Sequence, residues 1–215
     1  MLPEAANANT FADNPLAREL ERVLGQAVGD ALRDAAAAGD EPPPLRLARA
    51  VAPSAPELLA RVHPGTSARR GARQLYLRCL AHYRAQVQAV LRPGRGDDDL
   101  GLAAAYFTLA NLAAVNDSSP DPASLVPVER QLRRLIAATR SWSDVPLARR
   151  QQVFEQLALL AVLVNETRLQ AQSQGPAAVE NVRRAAAGYL RQLLGLDPLR
   201  LAVTPIGLAA AGSWH

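Results

Sequence analysis

The sequence predicts an all-α protein. Ala, Leu, Arg, Gln and Glu, the better helix formers, fill much of a 215-residue chain that is 49% hydrophobic. Apolar residues recur at three- and four-residue spacing through its longer segments. Aromatic residues make up only 4%. The predicted architecture is an irregular or orthogonal bundle of five or six helices, preceded by an N-terminal amphipathic helix and a Pro-rich linker. One domain with an appendage suits this length. The division falls near residue 65, with 1–64 as tail, helix and linker and 65–215 as the bundle.

Residues 1–13 lack apolar periodicity and read as a loose tail. Asn14 and Pro15 then mark a helix start, a capping side chain followed by proline at the first helical position. Leu16, Leu20, Val23, Leu24, Ala27, Val28, Ala31 and Leu32 give the predicted helix 15–38 one apolar face. The prolines of "GDEPPP" (39–44) end it. A linker over 45–64 holds a short helix near 55–62.

The segment 66–91 carries Leu75, Cys79, Leu80, Tyr83, Val87, Val90 and Leu91 on one side, and "RPGRG" breaks it. Asp97, Asp98 and Asp99 sit where carboxylates favour a helix start. The helix that follows, about 98–116, is apolar nearly all round and is predicted to be central. After the polar loop 117–122 comes a helix near 124–139, with Leu125, Val128, Leu132, Leu135 and Ile136 inward. Its arginines Arg130, Arg133 and Arg134 are placed on the solvent side. The longest helix, 145–173, stops at Gly175 and Pro176, and a last one spans 176–194. Gly195 with Leu196 fits a left-handed C-cap. "LRLAVTPIGL" reads as extended or irregular. No fixed-period repeat is visible, which argues against a solenoid.

Composition removes several classes of function. All 24 basic residues are Arg, but the net charge is only +4, too small an excess to imply a nucleic-acid role. A single cysteine, Cys79, rules out an internal disulfide framework and a cysteine-based metal site. No apolar run approaches the roughly 20 residues that span a bilayer. The N-terminus has neither the basic start nor the apolar centre of a signal peptide, and resembles the front of a mature exported chain.

The chemistry search is mostly negative. His63, His82 and His215 are scattered, without acidic residues at metal-ligand spacing. No nucleophile-elbow, P-loop, dinucleotide or zinc-protease pattern occurs. "GRGDDD" has contiguous acids, unlike the alternating ligands of a calcium loop, and the Arg95-Gly96-Asp97 tripeptide is expected by chance in such a loop. Arg130, Arg133 and Arg134 form a candidate anion surface, and Arg69, Arg70 and Arg73 begin another helix. Neither interleaves aromatics, so a solvated face is the simpler reading. No catalytic residue, metal ligand or cofactor is assigned.

Amides within apolar helices are more informative. Asn111 shares a face with Leu100, Ala104, Phe107 and Val115, and Asn165 lies likewise with Phe154, Ala158, Ala161 and Leu169. Both host helices are predicted to be central. Tyr106, Asn111 and Asn165 are therefore the candidate polar core or pocket. The expected arrangement is structural, with the two amides bonded to each other or to loop backbone.

Four stretches of the second half occur in an order that resembles a bacterial family, domain of unknown function 6683. They are "DDDLGLAAAYFTLANLAAVN" with the polar loop after it, "VERQLRRLIAA", "RRQQVFEQLALLAVLVNETRLQAQ" and "YLRQLLGLDPLRLAVTPIGL". The matching positions include Asn116, Arg130, Gln131, Leu132, Gly195, Leu196, Asp197, Leu201, Thr204 and Gly207, over roughly 66–208. The resemblance implies a helical, mostly exported protein and brings no activity with it.

The sequence does not define a molecular function. The leading expectation is a non-enzymatic interaction or scaffold module of the cell envelope or secreted space, periplasmic or outside the cell. A cytoplasmic location stays open. The apolar face of the 15–38 helix docks on the bundle of its own chain or pairs with another molecule; a partner would be another protein, or a second copy bound through that helix, with no nucleic acid and no membrane span. The alternatives are a small-ligand-binding protein or enzyme with a pocket near Tyr106, Asn111 and Asn165, and an Arg-mediated anion or nucleic-acid binder.

Overall fold

The structure, a computed structural model, describes residues 28–42, 45–47, 53–90, 98–119, 121–139, 142 and 144–212. Expectations for the tail 1–13, for 15–27, for linker residues 43–44 and 48–52, for the 95–97 tripeptide and for His215 lie outside these residues. Among the described residues there are seven α-helices and one small sheet. The helices are α1 (Val28–Ala37), α2 (Ala55–Ala60), α3 (Thr66–Val90), α4 (Leu100–Asn116), α5 (Leu125–Ala137), α6 (Leu147–Gln174) and α7 (Pro176–Leu194). Strands β1 (Leu201–Thr204) and β2 (Gly207–Ala210) follow.

Helices α4 and α6 form the centre, because their middles are apolar on every side and can only be satisfied there. They pack against each other, α7 packs on both, α3 lies on α6, and α5 covers α4. Leu157, Leu160 and Val164 of α6 are fully buried, each stabilising by about 1.5–3 kcal/mol relative to exposure. Helix α4 starts at Asp99, whose carboxylate accepts from the Leu102 N–H at 3.2 Å, so one of the three predicted aspartates is the cap. It ends at Asp117, in the left-handed region at φ 48°.

Residues read as appendage also touch the core. Helix α1 packs on α5 and β2, and α2 packs on α3 and α6. Leu32, Ala55 and Leu59 are fully buried. Residues 45–47 cross the start of α4 through an Arg46–Asp99 antiparallel bridge. Leu100 N donates there to Leu45 O at 3.1 Å, and Leu47 N to Asp98 O at 2.9 Å.

The last helix closes as the sequence predicts. Gly195 adopts φ 63°, and Leu196 N reaches back to Leu190 O at 3.1 Å, the Schellman arrangement with buried Leu196 as its apolar contact. The segment read as extended or irregular is an antiparallel hairpin, with Leu201 opposite Ala210 and Thr204 opposite Gly207. Thr204 Oγ1 donates to Gly207 O at 2.8 Å and accepts from Ile206 N at 3.2 Å, which fixes the turn.

Candidate functional site

Three polar centres lie inside the described fold, and each ties separate segments together. The first is Gln131 on α5, which is 1% exposed. Its Nε2 donates to Leu32 O at 2.7 Å and to Leu208 O at 2.8 Å, while its Oε1 accepts from Leu208 N at 2.7 Å. One side-chain amide therefore links α1 to Leu208 on the outer edge of β2. A Cβ on Gly207 would stand 2.7 Å from Gln131 Oε1, and the residue has φ +128°. Glycine is required there both for clearance and for backbone conformation.

The second centre corrects the reading of the α5 arginines. Arg133 is buried, at 4% exposure, and does not belong to a solvated anion surface. It pairs with buried Glu129 one turn back and with Glu41, and also donates to Pro42 O at 3.2 Å. Arg134 is half-buried and donates to the carbonyls of Ala35 and Asp40. Arg130 is exposed and pairs with Glu41 at 3.2 Å. The sequence could not show that residues 35–42 fold back over this face. That return covers it and supplies both carboxylate and carbonyls.

Glu155 is the third centre, a fully buried carboxylate on α6. Oε2 accepts from Ser54 N at 2.8 Å and Ala55 N at 2.9 Å, and Oε1 accepts from Gln151 at 3.0 Å. It serves α2 as a cap supplied from another helix. The sequence signal was the same as for Asn111: a polar residue inside an apolar stretch.

The predicted polar core is only partly assembled. Asn111 is fully buried, but its Nδ2 donates to Phe107 O of its own helix at 2.8 Å, and Oδ1 has no partner. Asn165 is half-buried. No hydrogen bond joins the two amides, so the expected direct pair is not formed. Tyr106 stands edge-on to Tyr83 on α3, with ring centroids 5.6 Å apart. A five-residue separation turns Tyr106 about 140° away from Asn111 around α4. The structure does not bring the three residues to one wall.

A group of titratable side chains surrounds Tyr76 and Cys79 of α3. His63 Nε2 lies 3.1 Å from Tyr76 Oη, and His82 lies 3.9 Å from Glu166. Burial, then the Glu166 carboxylate, pushes the Cys79 thiol up to about 11. Burial pushes Tyr76 up to about 12 and raises Tyr106, with Glu166 adding to it. These shifts favour neutral, unreactive forms, the reverse of an activated nucleophile. Among the described residues no group of three His, Cys, Asp or Glu is placed to hold a metal ion. No described helix is long and apolar enough to cross a membrane.

Fold and site together define a mostly helical bundle with a hairpin locked to it by buried polar side chains. Residues 34–211 match the Family of unknown function (DUF6683), and the chain belongs to that family. No curated protein and no solved structure matches.

Proposed function

We propose that this chain is a non-enzymatic interaction or scaffold module. One observation carries the reading: the residues that mark its resemblance to the family build a joint. Gln131 holds β2, Thr204 fixes the hairpin turn, Gly207 clears the amide, and Gly195 caps α7. Asp197 accepts from Leu199 N at 3.3 Å and pairs with Arg191 at 3.0 Å. A polar signature engaged in this way maintains a frame and leaves surfaces to make contacts. Among the described residues Leu199, 75% exposed at the base of the hairpin, is the large apolar side chain presented most openly, and it is the contact this reading assigns to a partner protein.

The reading extends to a bacterial envelope or secreted setting, and that part rests on the family resemblance. The test compares wild type with Leu199→Asp in the native host, using an epitope tag, fractionation and cross-linking. A discrete cross-linked species in the envelope or secreted fraction, lost in the folded variant, supports the proposal. Equal cross-linking by both proteins, or none by either, contradicts it.

A second reading has its own observation. The unpartnered Oδ1 of fully buried Asn111 offers an acceptor to a small polar ligand entering beside α4. Ligand-dependent thermal stabilisation that is lost in Asn111→Leu would favour it.

A further inference from the structure

The two edges of the hairpin are finished differently. Leu208 turns its N–H and C=O away from β1, toward the Gln131 amide. Val203 stands opposite Leu208 in the ladder, and at such an antiparallel position both residues point their backbone groups outward. Val203 therefore directs its N–H and C=O along the outer edge of β1. Leu201, two residues back, has the same orientation, in register with the bond from Ala211 N to Arg200 O at 2.8 Å. The Leu201 N–H is held by Pro198 O. Among the described residues, the Leu201 carbonyl and both backbone groups of Val203 meet no hydrogen-bond partner.

The side chains of β1 leave this edge open to pairing. Natural edges are commonly blunted by charge or proline, and "LAVT" contains neither. Val203 is 40% exposed, on the side of the hairpin that holds buried Leu201 and Leu208. Leu199 and Ile206, 75% and 72% exposed, flank the strand just beyond its two ends. The edge thus offers one N–H and two carbonyls at strand spacing, between exposed apolar side chains.

We propose that the outer edge of β1 takes an extended segment of a partner protein as an added strand, with an apolar side chain beside Val203. This names the form of the partner assigned to Leu199 and rests on that reading. The occupant is not a second copy. A two-fold axis allows Val203 opposite Val203 or Val203 opposite Leu201, and either register makes only two hydrogen bonds. In the first, the Leu201 carbonyls face Pro205, which has no N–H. In the second, the Val203 carbonyls face the Leu201 N–H already held by Pro198. A strand from another protein satisfies all three groups at once, as the Gln131 amide satisfies Leu208 on the opposite edge.

The probe is a fluorescent peptide of alternating valine and threonine with a lysine at each end, titrated into the full-length chain by anisotropy. Two further versions carry N-methyl groups on the valine amides or on the threonine amides. A strand pairs through one of its edges, so one methylated set should weaken binding about tenfold, the equivalent of one hydrogen bond, and the other should leave it unchanged. Val203→Pro removes the outward N–H and spares the ladder, a place where an edge strand tolerates proline; it should also weaken binding about tenfold. No binding of the parent peptide, equal behaviour of the two methylated peptides, or unchanged binding to folded Val203→Pro overturns the proposal. If Val203→Pro does not fold, hydrogen exchange at the Val203 amide of the unaltered chain takes its place. The peptide should slow that exchange several-fold, and unchanged exchange overturns the proposal. The Leu199→Asp cross-linking test reports separately: a cross-link lost there, beside a failed peptide test, keeps the partner and removes the added strand.

Discussion

Gln131 and Leu208 exchange two hydrogen bonds, 2.8 Å from the amide nitrogen to the Leu208 carbonyl and 2.7 Å from the Leu208 N–H to the amide oxygen. The side chain thereby copies one rung of a β-ladder. β2 thus has β1 on one side and a glutamine amide on the other, and the hairpin needs no third strand to satisfy that edge.

Gln131→Leu keeps the bulk and removes the amide. The Leu208 N–H and carbonyl would then be buried without partners, and the Leu32 carbonyl would keep only its bond within α1. An orphaned buried group costs about 1–3 kcal/mol, so the loss of two should be on the order of 2–6 kcal/mol. Urea unfolding checks this, with a lowered midpoint and an unchanged slope. A loss within 0.5 kcal/mol, roughly that of an ordinary surface substitution, would show that the amide is dispensable.

Glu155→Ala should release α2 before the rest unfolds. Two backbone N–H groups, of Ser54 and Ala55, lose their acceptor, at a cost of about 1–3 kcal/mol. Limited proteolysis should cut faster between 53 and 64 while α4 and α6 stay protected. Uniform protection would contradict the capping role.

The amides should not couple. Asn111 bonds within its own helix and Asn165 is half-buried, so Asn111→Leu and Asn165→Leu should add within about 0.5 kcal/mol. Asn111→Leu removes an orphan acceptor and should change stability by less than about 1 kcal/mol. A double variant that recovers stability lost in the singles would restore the direct pair.

Stability should fall in alkali. The folded thiol of Cys79 is raised to about 11 from 9.0 and the folded phenol of Tyr76 to about 12 from 10.0. Below pH 9 both are protonated in folded and unfolded chains alike, and their contribution is fully present. From pH 9 upward the unfolded chain loses protons first, so this contribution declines through pH 11 to 12. Urea midpoints from pH 7 to 11 should be flat at first and then drop, and Cys79→Ser should delay the onset. Below pH 9, Cys79 should also resist alkylation until the chain is unfolded.

Legibility followed the range of the interaction. The helices from α3 to α7 were readable because apolar spacing, prolines and the Gly195 cap act within a few residues. The centrality of α4 and α6 followed from their uniformly apolar middles. The return of residues 35–42 over α5 was not readable, since it joins positions about 90 residues apart; Arg133 was therefore assigned to solvent. Asn111 is inside, as its spacing predicts, but its partner was not legible, because a carbonyl four residues back takes the amide N–H and leaves Oδ1 unpaired. Gln131, Thr204 and Gly207 stood out only as family matches, and their roles emerged once the hairpin was seen against α5.

The role of the signature residues as a joint is tested most directly by a double-mutant cycle between Gln131→Ala and Gly207→Ala. Gly207→Ala alone places a methyl group against the amide at 2.7 Å and strains φ +128°; Gln131→Ala removes the first effect and leaves the second. The predicted coupling is about 1–3 kcal/mol, the double variant being more stable than the sum of the singles requires. Strict additivity, with both singles folded, would contradict a direct Gln131–Gly207 joint.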